Sequence, residues 1–141
     1  MLDILYIEDN LNEIDIFKRV LSHLVNPPSF TVLSNGSDAI DYLLQQGIYE
    51  DKTYPMPRLV LIDLNLPGQN GFEVIQQVRA NTGTKYLPLL VYSISDLADD
   101  IRRAYNLGAN AYLIKPQSYQ EVSELMRRAI DFWLTPNQYV R

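Results

Sequence analysis

Arg58-Leu-Val-Leu-Ile-Asp63-Leu-Asn-Leu-Pro-Gly68 is the stretch around which the chain is organised. The apolar run from Leu59 to Ile62 is short and branched, ends abruptly on a carboxylate, and is followed by a Leu-Pro-Gly turn. Such a run reads as a strand buried on both faces, hence the centre of a parallel sheet. An acid at the carboxyl end of that strand stands where open α/β sheets place their ligands. Asp before a turn is also ordinary turn chemistry, so the other strand ends decide the matter.

The chain of 141 residues fits one ordinary domain able to bury a real core. A net charge of −5 disfavours nucleic acid as a direct partner, because phosphate binding needs clustered Lys and Arg. The absence of cysteine excludes disulfides and thiolate metal sites and fits a reducing compartment. The N-terminus carries no basic region or signal-length apolar stretch, and no segment approaches membrane-spanning length. The expectation is a cytoplasmic protein that does not engage a membrane.

Outward from the centre, Leu2 to Ile7 is an apolar run closing on Glu8-Asp9. Asn10 and Glu13 have capping-box spacing for a helix with Ile14, Phe17, Val20, Leu21 and Leu24 at helical intervals. Phe30 to Leu33 is a second strand, and Asn35-Gly36 turns into a second helix. Gly47 to Pro57 is a long connection, either functional or a tolerated surface insertion. After the central strand, Gly71 to Ala80 forms a helix with Phe72, Val74, Ile75 and Val78 inward. Leu87 to Tyr92 is the fourth strand, running into Ser93. Asp96 caps a helix through Ile101, Tyr105 and Leu107, which Gly108 ends. Ala111 to Ile114 is the fifth strand, closing on Lys115-Pro116, and Ser118 caps a last helix reaching Leu134. Five strands alternating with five helices predict one doubly wound parallel sheet spanning residues 1–141 as a single domain.

In this arrangement three strand ends carry charge: Glu8 and Asp9, Asp63, and Lys115. The fourth ends in the Ser93 hydroxyl. Carboxylates crowded together repel one another and need a cation to stay ionised. All-oxygen ligation points to a hard ion, Mg²⁺ before Ca²⁺. A metal, a lysine, a hydroxyl and one presented carboxylate suit a phosphoryl group, attacked in line by that carboxylate. Each residue alone has an ordinary explanation: acids at a helix N-terminus, a cap, a turn. Their shared position at one sheet edge is what argues for a site.

The segments Tyr6-Ile-Glu-Asp-Asn10, Leu61-Ile-Asp-Leu-Asn-Leu-Pro67, Leu87-Pro-Leu-Leu-Val-Tyr-Ser93 and Gly108-Ala-Asn-Ala-Tyr-Leu-Ile-Lys-Pro116 together resemble a receiver domain of the two-component response regulator family, over nearly the whole chain. The resemblance implies a flavodoxin-like sheet of order 2-1-3-4-5. It makes Asp63 the phosphoacceptor, with Mg²⁺ held by Glu8, Asp9, Asp63 and the backbone carbonyl of Asn65. It makes Ser93 the switch hydroxyl, Lys115 the phosphate-binding lysine and Tyr112 the aromatic switch, and it implies a cis bond between Lys115 and Pro116. The long connection and the closing Ile130-Asp-Phe-Trp-Leu134 are similar to the single-domain regulators paired with bacterial phytochrome-type kinases, whose last helix and neighbouring elements form a homodimer. A sensor histidine kinase, phytochrome-like on this resemblance, is the implied partner. The last helix carries a stripe through Met126, Ile130, Phe132 and Trp133 wider than one core-facing side requires.

Three functional classes follow. The first is a stand-alone phosphoacceptor that catalyses its own phosphorylation and slow dephosphorylation. Ile94, where the family mostly has a small residue after the hydroxyl, narrows access to the phosphoryl group or alters the local backbone. The second is an aspartyl-nucleophile phosphatase, which would want a second acid where Asn65 stands. The third is an unphosphorylated binding module, which would lack an acid, the lysine or the hydroxyl. His23 has no partner at catalytic spacing and reads as a surface residue.

Overall fold

The computed structural model describes residues 2–50 and 54–140; Asp51, Lys52 and Thr53 of the long connection lie outside the described residues. The strands are β1 (Leu2–Ile7), β2 (Phe30–Leu33), β3 (Pro57–Ile62), β4 (Leu89–Ser93) and β5 (Ala111–Ile114). The helices are α1 (Leu11–Ser22), α2 (Gly36–Leu44), α3 (Gly71–Ala80), α4 (Ala98–Leu107) and α5 (Tyr119–Leu134), with a single 3₁₀ turn at Gly47–Tyr49. All strand pairs are parallel and the order is β2-β1-β3-β4-β5. No described helix is long and apolar enough to cross a membrane.

Alternation along the central strands builds two cores. Leu5 and Ile7, Val60 and Ile62, and Leu89 and Val91 face α2, α3 and α4. Ile4 and Tyr6, Leu59 and Leu61, and Leu90 and Tyr92 face α1 and α5. Burial on both faces is why the sequence runs are nearly continuously apolar.

Several local expectations are corrected. The fourth strand starts at Leu89, two residues late, and α4 starts at Ala98 rather than after an Asp96 cap. Its N-cap position is Leu97, and the nearby polar bonding runs through Ser95, whose hydroxyl accepts from Leu97 N–H and donates to Asp100 at 2.6 Å. Tyr105 points outward, at 48% exposure. Met126 and Ile130 belong to the core under α5, so the apolar surplus of that helix shrinks to Phe132, half exposed, beside a partly covered Trp133. The Lys115–Pro116 bond is trans, as is every peptide bond among the described residues, so the usual isomer is kept. The long connection is anchored by three tyrosines in mutual ring contact, Tyr49 meeting Tyr42 and Tyr54 edge-on. Tyr49 donates to Asp38 at 2.9 Å and Tyr42 to the Pro55 carbonyl at 2.8 Å. His23 lies on the surface at the end of α1, its ring bonded to the Arg19 carbonyl.

Candidate functional site

Parallel pairing continues one residue past each strand and so draws the polar ends together. Glu8 N–H donates to the Leu33 carbonyl at 3.0 Å, Asp63 N–H to Ile7 at 3.1 Å, and Lys115 N–H to Ser93 at 2.8 Å. Behind Asp63 the chain turns back into α3, whose Asn70 and Glu73 form a reciprocal capping box that the sequence reading did not identify. Gly71 is required there: a Cβ would lie 2.4 Å from the Asp63 carbonyl oxygen.

The edge holds Glu8, Asp63, Ser93 and Lys115, all buried, with Asp9 exposed beside them. Glu8, Asp9 and Asp63 each offer an oxygen within 4.8 Å of the others, a donor set that suits a hard divalent cation. The Lys115 ammonium donates to Glu8 Oε1 in a short bond and to Asp63 Oδ2 at 3.3 Å, and lies 3.9 Å from Glu13 Oε2. Burial pushes the Glu8 carboxyl up to about 7, against the opposing pull of Lys115. Burial also works against the ammonium, but Glu8, Asp63 and Glu13 reverse that and hold it above its ordinary value.

Ser93 Oγ is buried and accepts from Ser95 N–H at 3.2 Å. Tyr112 is partly covered and donates to the Ser95 carbonyl at 2.9 Å, tying β5 to the turn after β4. Burial raises its pKa. Asn65 is exposed in the turn after Asp63, and its N–H reaches Asp63 Oδ1 only at 3.5 Å. Ile94 is 71% exposed on the β4–α4 turn. All strand-end residues expected from the sequence therefore meet at one edge, with Tyr112 at its flank.

Two neighbours were not foreseen as part of the site. The buried Tyr6 hydroxyl donates to Glu8 Oε1 at 3.3 Å, the oxygen that also takes Lys115. Its signal was available in the i, i+2 spacing, which places Tyr6 and Glu8 on one strand face. The sequence spacing makes Glu13 the second half of a capping box. Asn10 does cap α1, accepting from Asn12 and Glu13, but its own N–H goes to Glu8 Oε2 at 3.3 Å. The Glu13 carboxylate faces Lys115 instead.

A family model described as the response regulator receiver domain matches residues 4–127. Response regulator Rcp1 of Synechocystis sp. (strain PCC 6803) is 33% identical over 131 residues, covering 93% of this chain and 88% of that protein. A probable methanogenesis regulatory protein, FilR2 of Methanothrix harundinacea, is also 33% identical, over 96% of this chain and 85% of its own. The structure of the phosphorylated cyanobacterial phytochrome response regulator RcpA superposes with a TM-score of 0.89 at 28% identity, covering all of both chains. The Mn²⁺-bound form of Rcp1 gives the same TM-score at 30% identity, again over all of both chains.

Proposed function

The chain belongs to the response regulator receiver domain family of two-component systems, and we propose that it acts as a single receiver domain whose Asp63 accepts a phosphoryl group. An Asp63 carboxylate oxygen attacks the phosphorus in line, the bond from phosphorus to the donor atom breaks, and the donor leaves with the electron pair. Receiver domains bind a divalent metal, and Mg²⁺ is the ion proposed for Glu8, Asp9, Asp63 and the Asn65 carbonyl. When bound, it would neutralise charge on the phosphoryl oxygens. Lys115 would balance the remaining charge, and Ser93 and Tyr112 would move with the phosphorylated state, biasing a two-state equilibrium that a partner reads.

The observation that carries this reading is the convergence of three carboxylates and one buried lysine on a single strand edge. A sensor histidine kinase in the cytoplasm is the proposed donor. A phytochrome-type kinase is favoured because RcpA is described as a phytochrome response regulator. A homodimer through α5 rests on the narrower surface at Phe132 and Trp133; a monomer in sedimentation at high concentration would remove it. Slow loss of the phosphoryl group rests on the branched Ile94 beside Ser93, and Ile94→Ala decaying no faster than the parent would remove that.

The decisive experiment is incubation with Mg²⁺ and acetyl phosphate followed by intact mass measurement. The parent gains one phosphoryl mass and Asp63→Asn gains none. A full gain by Asp63→Asn refutes the assignment.

A further inference from the structure

Lys115 faces a carboxylate that the proposed chemistry does not use. Glu13 lies in the first turn of α1, fixed there by the Asn10 side chain, which accepts from Glu13 N–H at 3.1 Å. The return bond that Glu13 would make to Asn10 N–H is replaced, because Glu8 Oε2 takes that hydrogen. This leaves the Glu13 carboxylate 3.9 Å from the Lys115 ammonium, with its side chain 30% exposed and Lys115 almost fully covered. Glu8 Oε1 already serves both Lys115 and the Tyr6 hydroxyl, and Glu8 Oε2 serves the amides of Asp9 and Asn10. The lysine thus donates hydrogen bonds to Glu8 and Asp63 and has a third carboxylate at ion-pair distance, and this one, on α1, stands apart from the cluster of Glu8, Asp9 and Asp63.

We propose that Glu13 is a positioning residue for Lys115, drawing the ammonium toward α1 and competing for it with the phosphoryl group arriving on Asp63. This rests on the phosphoacceptor reading and adds a control on its rate. For Lys115 to neutralise phosphoryl oxygens in the transition state it must give up part of its attraction to Glu13. A pair at this distance with one partner partly in solvent corresponds to roughly a 2- to 5-fold change in rate. Glu13 therefore acts as a brake on phosphorylation, exerted through the lysine.

The test compares the parent, Glu13→Gln, Lys115→Met and the double variant, with acetyl phosphate and Mg²⁺, by the growth of phosphoryl mass. Glu13→Gln accelerates the reaction roughly 2- to 5-fold when Lys115 is present and has no effect in the Lys115→Met background. Equal acceleration in both backgrounds means that Glu13 simply repels the anionic donor, and the proposal falls. An unchanged or slower rate in the Lys115 background also overturns it. A second readout needs neither metal nor phosphate: hydrogen exchange of the Lys115 ammonium, followed by NMR in the metal-free protein. Glu13→Gln speeds that exchange, and exchange equal to the parent's overturns the proposal. A parent that takes up no phosphoryl group defeats the phosphoacceptor reading, while the exchange measurement still decides whether Glu13 holds the lysine.

Discussion

The two ends of β3 each carry a charged network, and they are built on opposite accounting. At the amino end the Arg58 guanidinium pairs with Asp3 at 3.3 Å, donates to the Leu134 carbonyl at 2.6 Å and stacks over Tyr139 at 4.6 Å. The second oxygen of Asp3 accepts from the backbone and hydroxyl of Ser29. One cation meets one acid, and only Arg58 Nε, among the buried side-chain atoms described, lacks a partner. At the carboxyl end a single ammonium faces Glu8, Asp63 and Glu13, with Asp9 alongside. A network with matched charges of that kind ties β3 to β1 and α5. A surplus of negative charge around a buried lysine is costly unless a cation joins it. The two ends therefore differ in net charge and in burial: Arg58 and Asp3 keep 21% and 25% of their side chains exposed, against 5% and 0% for Lys115 and Glu8.

The largest expected effect is at Glu8, the most deeply buried acid of that edge. Burial raises the Glu8 carboxyl from 4.5 to about 7, so the folded protein holds this proton more tightly than the unfolded chain. The associated stability is complete below the unfolded value and is lost as pH rises through the folded one. At about 1.4 kcal/mol per pK unit, the metal-free protein loses on the order of 3 kcal/mol between pH 4.5 and 7. Mg²⁺ favours the ionised carboxylates, so its stabilising effect grows over the same window. Denaturant titrations in EDTA and in Mg²⁺ at several pH values measure both trends. A flat metal-free profile would mean that Glu8 is already balanced, and the contrast between the two ends would collapse.

Removing each cation gives a smaller and opposite pair of effects. Arg58→Met costs about 2 kcal/mol of stability through its lost charged hydrogen bonds and leaves Mg²⁺ affinity unchanged. Lys115→Met removes a positive charge beside the proposed metal and tightens Mg²⁺ binding about ten-fold, a conservative figure for charges a few ångströms apart. Isothermal titration with Mg²⁺ reads both affinities, and denaturant titration reads the stability loss of Arg58→Met. Equal affinity in all three proteins would show that the lysine and the metal do not share the same carboxylates.

The sheet and its charged edge were legible because their signals are local. A buried parallel strand leaves an unbroken apolar run, and a polar residue closing it stands at the sheet edge by necessity; Glu8, Asp63, Ser93 and Lys115 were all found this way. What was not legible depended on neighbours distant in sequence. Glu13 matched a local cap, and its partner Lys115 is about a hundred residues away, so spacing alone assigned it to the wrong bond. The broad apolar stripe of α5 counts as surplus on helical periodicity alone. In the fold its Met126 and Ile130 share a core with residues of α1, β1, β3 and β4, which covers more of the helix than one contact face would. Tyr6 sits within an apolar run where a tyrosine counts simply as core, and its hydroxyl role appears only once the strand's pleat is considered.

Tyr6 also supplies the finest test of the contrast. Its hydroxyl is wholly buried and donates to the Glu8 oxygen that Lys115 also occupies. Phenylalanine keeps the ring that packs on Phe17 at 4.4 Å, so Tyr6→Phe leaves the core shape intact and removes one donor. A bond to a carboxylate counts most when the carboxylate is ionised, and Glu8 ionises near 7. The expected loss in the metal-free protein is therefore about 1 kcal/mol at pH 8, shrinking toward pH 5 where Glu8 holds its proton. Removing the donor also moves the Glu8 ionisation higher, so the midpoint of the pH-stability curve shifts upward in the variant. Denaturation of parent and variant at the two pH values separates the possibilities. A loss that is the same at both would show the hydroxyl acting independently of the Glu8 charge. The excess negative charge would then rest on Lys115 as the sole side-chain donor to that carboxylate.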